Sequence, residues 1–114
     1  MNITIPEEIL PLTPQMQHIL AALALGSMNG YEVIQQARED AGGIMRLGPS
    51  TVYPALKKLR GMELVKLDEH YQPSGRGRSE CAYELTPTGR HVLQAEIKRQ
   101  TELAELVRAR LAAK

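Results

Sequence analysis

The chain has 114 residues, and its 14 Lys or Arg against 13 Asp or Glu give a net charge of +1. This length is that of one domain with at most a small appended element. Phenylalanine and tryptophan are absent, so the core must be aliphatic, and the single cysteine excludes an intramolecular disulfide and is typical of a reducing compartment. Because the sequence shows neither a signal-peptide pattern nor a membrane-length apolar run, we expect a soluble, cytoplasmic protein.

The first part of the chain predicts two short amphipathic helices. Thr13 and Pro14 form a helix start, with a hydroxyl as N-cap and proline at the first helical position. A second helix is expected to begin at its cap, Asn29, and to end at Gly42, and the extended residues 44–47 predict a small strand. The residues expected to face the core are Met16, Ile19, Leu20, Leu23 and Ala24 in the first helix and Tyr31, Ile34, Ala37 and Ala41 in the second.

A third helix is expected to begin at Gly48-Pro49, and its two faces differ in chemistry. The inward residues are Val52, Leu56 and Leu59, and the outward and flanking residues are Ser50, Thr51, Tyr53, Lys57 and Lys58. A helix that enters the major groove of DNA needs short hydroxyls near base edges and lysines within reach of phosphates. We therefore predict that the outward residues contact DNA, with a half-buried packing role as the alternative for Tyr53.

A β-hairpin is predicted after the third helix, because residues 64–69 and 81–86 both alternate between apolar and polar. The loop between them contains Arg76, Gly77 and Arg78, whose two guanidinium groups could follow phosphates or enter a minor groove. A solvated flexible loop would have a similar composition. The alternation places Cys81 on the inward face, as a small buried hydrophobe, with a redox-sensing thiol as the alternative.

Charge is unevenly distributed along the chain. Residues 1–45 carry one Arg against five Asp or Glu, a net charge of −4, whereas residues 46–78 carry seven Lys or Arg against three, a net charge of +4. This concentration around the third helix and the hairpin is typical of a phosphate-binding surface, although a solvated basic surface would look the same. Asn29 and Tyr31 open the second helix, whose first amides could hold a phosphate; ordinary capping is the alternative.

A last helix is predicted from Thr86-Pro87 onwards, with an apolar seam at alternating spacings of three and four. The seam residues are Leu93, Ile97, Gln100, Ala104, Val107 and Leu111. Such a seam predicts a partner helix, with Gln100 as the polar residue that sets the register of the pair; packing onto the first helix is the alternative. We expect residues 1–89 to form the DNA-binding domain with an N-terminal extension, and residues 90–114 to form the dimerisation helix.

Three segments together resemble the PadR family of bacterial transcriptional regulators. They are Gly30-Tyr31-Glu32, the T-V-Y-P-A-L core that begins at Thr51, and the exit from Leu85 to Gly89, within a match over about residues 16–100. Asn29 stands where that family commonly has histidine. The resemblance implies a mainly α winged helix-turn-helix with a small β-hairpin and a C-terminal dimerisation helix. It also implies a transcriptional regulator, by default a repressor, that binds a roughly palindromic operator as a dimer.

The resemblance further implies a small-molecule effector, because regulators of this family often respond to aromatic or hydrophobic compounds. Without tryptophan there is no indole to stack on a flat polycycle, so we expect a small apolar or phenolic ligand. We expect the binding site of this ligand to be lined by Met16, Leu20, Leu93 and Ile97. The sequence contains no catalytic or metal-ligating motif, and no cofactor or membrane contact is expected. A winged-helix module that binds protein without specific DNA binding is the alternative function.

Overall fold

The computed structural model describes residues 9–71 and 81–113. The elements in that part of the chain are α1 Pro14–Leu23, β1 Met28–Asn29, α2 Gly30–Ala41, α3 Pro49–Gly61, β2 Val65–Leu67, β3 Ala82–Leu85 and α4 Pro87–Ala112. The strands form one antiparallel sheet in the order β1-β3-β2. Three helices followed by a hairpin, with a long helix after it, are the arrangement of a winged helix-turn-helix, and the predicted fold class is confirmed.

The predicted helix starts at Thr13, Asn29 and Thr86 are capped by side chains. Thr13 Oγ1 accepts the backbone N–H of Met16 at 3.1 Å, and Thr86 Oγ1 accepts that of Gly89 at 2.9 Å. Asn29 forms a reciprocal capping box with Glu32, in which each side chain accepts the other residue's backbone N–H at 2.8–2.9 Å. These short-range hydrogen bonds explain why the start of each helix could be predicted from a few residues.

The core is aliphatic and is enclosed by α1, α2, α3 and the first turns of α4. Its largest fully buried apolar side chains are Ile19, Leu20, Val33, Leu47, Val52, Leu56, Leu59, Leu64, Val65 and Val92. Two predicted core positions are wrong. Ala24 is exposed because α1 ends at Leu23, so that Ala24 serves as its C-cap. Tyr31 is 59% exposed because it projects roughly a third of a turn away from the buried stripe of α2, to which Val33 belongs instead.

The hairpin forms as predicted, but the third strand lies elsewhere in the chain. Val65 pairs with Leu85 and Leu67 with Tyr83, whereas the edge strand on the other side of β3 is β1. Residues 44–47 form no strand. The backbone N–H of Ile44 is bonded to the carbonyl of Ala41 at 3.2 Å, so this segment begins as the turn that closes α2.

A close backbone contact fixes α4 against the turn between α3 and β2. The N–H of Thr86 donates to the carbonyl of Leu64 at 3.1 Å, and the Thr86 hydroxyl donates to the carbonyl of Glu63 at 2.7 Å. A Cβ atom on Gly89 would lie 2.0 Å from the Leu64 carbonyl oxygen, so only glycine permits this approach. Helix α4 therefore leaves the sheet at a defined position relative to α3.

Candidate nucleic-acid interface

Helix α3 presents the predicted contact residues on its outer surface. Val52, Leu56 and Leu59 are completely buried, so the opposite side of the helix must face solvent. The residues on that side, here called the α3 face, are Ser50, Thr51, Tyr53, Lys57 and Lys58; Thr51 is half-buried and the others are exposed. The helix is continuous across Pro54. The face therefore offers hydroxyls near the N-terminus and cations one to two turns further along.

The ring of Tyr53 lies over the first residue of α2. A Cβ atom added at Gly30 would be 2.3 Å from Cε1 of this ring and 2.6 Å from its hydroxyl oxygen. Tyr53 is nonetheless 42% exposed, so it both packs on α2 and remains accessible at the surface. The alternatives of packing and contact residue are thus compatible, because the ring packs on Gly30 while part of the side chain stays exposed.

The N-terminus of α2 is tied to Tyr71, which lies four residues after the end of β2, the first strand of the hairpin. Tyr71 donates its hydroxyl hydrogen to Glu32 Oε1 at 2.8 Å, and the Asn29 amide nitrogen lies 3.4 Å from the same hydroxyl. Asn29 is therefore engaged in ordinary capping, and its side chain is also linked to Tyr71. Tyr31 stands exposed beside this network. The role of Asn29 and Tyr31 in holding a phosphate stays a prediction.

The predicted wing contacts Arg76, Gly77 and Arg78 lie outside the described residues. The strands that flank them, β2 and β3, are described, and their register fixes the two ends of the loop. The wing assignment of these three residues stays a prediction from the sequence.

Two arginines that the sequence analysis did not select lie at the N-terminus of α3. Arg38 belongs to α2, yet its Nε–H donates to the carbonyl of Leu47 at 3.0 Å, next to the start of α3. With Arg46 it lines an open cleft of about 450 Å³ that also includes Ser50 and Thr51, here called the arginine cleft. The charge tally had placed Arg38 in the acidic segment, because sequence distance says nothing about the fold that brings α2 back to α3.

A model of the family described as transcriptional regulator PadR-like family matches residues 19–95. The chain belongs to the PadR-like family of transcriptional regulators. Its winged helix-turn-helix is accordingly the DNA-binding module of a transcriptional regulator, as the sequence predicted.

Relatives of this PadR-like chain extend the comparison. The chain is 40% identical over 86 residues to an uncharacterized 37.1 kDa protein in transposon Tn4556 of Streptomyces fradiae, an alignment that covers 75% of this chain and 23% of that protein. The chain thus spans about a quarter of the length of this curated relative.

Solved structures share the fold at lower identity. A PadR family transcription regulator of Clostridium difficile superposes with a TM-score of 0.72 at 23% identity, covering 87% of this chain and 99% of that one. A transcriptional regulator of Clostridium thermocellum gives a TM-score of 0.68 at 19% identity, covering 93% of this chain and 97% of the other.

The structure divides the predicted seam of α4 in this PadR-like protein into two parts. Leu93 packs against the core, and the amide of Gln100 exchanges two hydrogen bonds with that of Gln17 in α1, at 2.6 and 2.7 Å. Helix α4 begins at Pro87, so the predicted division at residue 90 falls within it. These contacts place the first half of α4 against the core and α1 of the same chain. The apolar side chains of α4 that stay exposed are Ile97, Leu103, Leu106, Val107 and Leu111, and Ala104 is half-buried.

A buried carboxylate, Glu96, lies at this packing site and was not found from the sequence. Its Oε2 accepts the backbone N–H of Leu12 at 2.8 Å, and its Oε1 accepts from Nε of Arg99. The Arg99 hydrogen bond lowers the pKa of Glu96, burial opposes this, and the Leu12 N–H adds to the lowering. Glu96 thereby fastens the segment before α1 to α4; a glutamate in a helix ordinarily indicates an exposed position, so no sequence signal distinguished it.

Two further predictions are corrected by the burial of side chains. Cys81 is exposed, because it precedes the first residue of β3 and stands at a surface cleft with Gly30 and Tyr53, whereas Ala82 is buried. Met16 and Leu20 are both buried in the packed core, so the predicted effector lining is wrong for this pair.

Two further observations concern the described residues as a whole. The described residues contain no group of three or more His, Cys, Asp or Glu arranged to hold a metal ion. None of their helices combines the length and apolar character needed to cross a membrane.

Proposed function

We propose that this PadR-like protein is a sequence-specific repressor that binds a roughly palindromic operator as a homodimer. The observation that carries the proposal is the α3 face, which projects hydroxyl, phenol and ammonium groups into solvent from a helix whose other side is fully buried. Such a rigid helix can enter a major groove without rearrangement of the core.

The residues of the α3 face have distinct proposed roles. Ser50, Thr51 and Tyr53 lie in the first turns of α3 and contact base edges, because a recognition helix reads bases with its N-terminal part. Lys57 and Lys58 contact phosphates. The two lysines thus position the protein, whereas the three hydroxyl-bearing residues discriminate between sequences.

The second half of α4 supplies the proposed dimer interface. Beyond Gln100, the large apolar side chains of α4 are 41–78% exposed within the described part of the chain: Leu103, Leu106, Val107 and Leu111. A second copy of α4, related by a two-fold axis, would cover them and would present two α3 faces to one side of DNA. Palindromic operators follow from that symmetry, with half-sites about one helical turn apart.

An effector site belongs to the same interface in this proposal. Because Met16 and Leu20 are buried in the core, the accessible lining of the effector site is limited to the α4 side, around Ile97. A small apolar or phenolic ligand bound between the two copies would change the spacing of the α3 faces. It would act only by binding one dimer geometry better than the other.

Fluorescence anisotropy with the DNA upstream of the gene and with random DNA of equal length tests the proposal. Thr51→Ala should lower affinity for the upstream DNA by about tenfold and change random binding little, since one good base contact contributes about 1–3 kcal/mol of discrimination. Lys57→Ala should weaken both equally. If the wild-type protein binds the upstream DNA no better than random DNA, the proposal of a sequence-specific regulator is wrong. A winged-helix module that binds protein then becomes the better account.

A further inference from the structure

The arginine cleft has the properties of an anion-binding surface. Among the residues that the structure describes, the charged residues lining the cleft are Arg38 and Arg46, and no carboxylate lines it. Within residues 9–71 and 81–113, the one salt bridge joins Glu96 and Arg99. In that part of the chain, therefore, no acidic side chain forms a salt bridge with either cleft arginine. Two uncompensated guanidinium groups beside one concave surface attract a negatively charged group.

Arg38 is held in position before any ligand arrives. Its Nε–H bond to the carbonyl of Leu47 uses one of five guanidinium N–H donors and leaves the four on the terminal nitrogens. One of these nitrogens lies 3.7 Å from the Cβ position of Gly48, the residue that precedes α3. A fork of donors fixed in this way is suited to the tetrahedral oxygens of a phosphate and loses little side-chain entropy on binding.

The position of the cleft selects DNA as the source of that phosphate. The cleft shares Ser50 and Thr51 with the α3 face, so a group bound in it lies directly beside the N-terminal part of the recognition helix. A helix in a major groove about 12 Å wide has a phosphate backbone on each side. The cleft is therefore placed against one of these backbones when α3 reads the bases.

We propose that Arg38 and Arg46 together bind one backbone phosphate of the DNA at the N-terminus of α3. This inference rests on the proposed function and adds a phosphate contact separate from Lys57 and Lys58. It is a positioning contact, because a phosphate is the same for every sequence. Since both arginines hold one phosphate, removal of either should remove most of the effect of removing both.

The test compares Arg46→Ala, Arg38→Ala and the double variant with Lys98→Ala, which removes one exposed charge from α4. Affinity for upstream and random DNA is measured between about 50 and 200 mM salt. The cleft variants should each weaken both DNAs several-fold and reduce the slope of log affinity against log salt by about 0.9, the value for one phosphate. Lys98→Ala should leave the slope unchanged. Arg46 makes no hydrogen bond in the described structure, so Arg46→Ala should also retain the wild-type melting temperature.

The outcomes separate this inference from the proposed function. If the cleft variants match Lys98→Ala while the wild type binds upstream DNA specifically, the cleft inference is overturned and the function stands. If the double variant loses twice the slope of either single variant, the two arginines do not share a phosphate and the inference is overturned in that form. If inorganic phosphate at constant ionic strength raises the melting temperature of the wild type but not of the double variant, while the cleft variants bind DNA like Lys98→Ala, the occupant is a free anion and the inference is contradicted. Absence of DNA binding by the wild type would overturn both.

Discussion

Gly30→Ala is expected to impair DNA binding while leaving the fold intact. The new Cβ would lie 2.3 Å from Cε1 of Tyr53, whereas ordinary contacts begin at 3.4 Å, so the ring must withdraw by about 1.1 Å. The clashing atoms are the far end of a half-exposed side chain, and a small rotation towards solvent relieves them. An off-rotamer side chain costs about 0.5–1.5 kcal/mol, and alanine returns up to about 1 kcal/mol in helix propensity. The free energy of unfolding should therefore change by no more than about 1.5 kcal/mol.

The same displacement has a larger effect at the DNA surface. A hydrogen bond tolerates only a few tenths of an ångström, so a phenol moved by about 1 Å loses its contact. Affinity for the upstream DNA should fall by about tenfold, equivalent to about 1.4 kcal/mol, with little change for random DNA. Fluorescence anisotropy measures the two DNA affinities, and urea unfolding measures the free energy of unfolding.

Two other glycines provide matched comparisons for Gly30→Ala. A Cβ at Gly61, the last residue of α3, meets nothing within 4 Å, so Gly61→Ala should leave DNA binding unchanged and should stabilise the fold by at most about 1 kcal/mol. A Cβ at Gly89 meets the backbone of Leu64 at 2.0 Å, which cannot move aside as a side chain can. Gly89→Ala should therefore destabilise the fold by about 3 kcal/mol or more. Wild-type DNA affinity in Gly30→Ala would refute the reasoning, as would a loss of stability equal to that of Gly89→Ala.

Two further predictions concern α4. Ile97 is 48% exposed, so Ile97→Asp should leave the protomer folded but give a monomer in sedimentation. Operator affinity should be about a hundredfold lower, because two half-sites are no longer linked. Lys98→Asp is the matched control, and a dimeric Ile97→Asp protein would show that the interface lies elsewhere. Glu96 has a pKa held below its ordinary value of 4.5, chiefly by the Arg99 hydrogen bond, so its contribution to stability is complete above that pH and is lost as pH falls through the lowered value. Glu96→Gln should thus lower the urea midpoint at pH 7, and its deficit should shrink below about pH 4.5; a deficit independent of pH would contradict the assignment.

The sequence by itself determined the elements whose signals are local. Threonine, asparagine and proline at the starts of α1, α2 and α4 are recognisable because a cap satisfies donors within three residues. The two faces of α3 were predictable because a helix repeats every 3.6 residues, so three buried positions fix the direction of all the others. Period-two alternation likewise located β2 and β3.

The tertiary structure decided whatever depends on which distant segment covers a residue. Cys81 was predicted inward by alternation, yet it is exposed because β3 begins one residue later. Glu96 is buried because the N–H of Leu12, 84 positions away, needs an acceptor. Arg38 belongs to an acidic stretch of sequence, but its bond to Leu47 places it beside α3. Burial and charge neighbourhood are properties of the packed chain, since they arise from contacts between segments that no local pattern records.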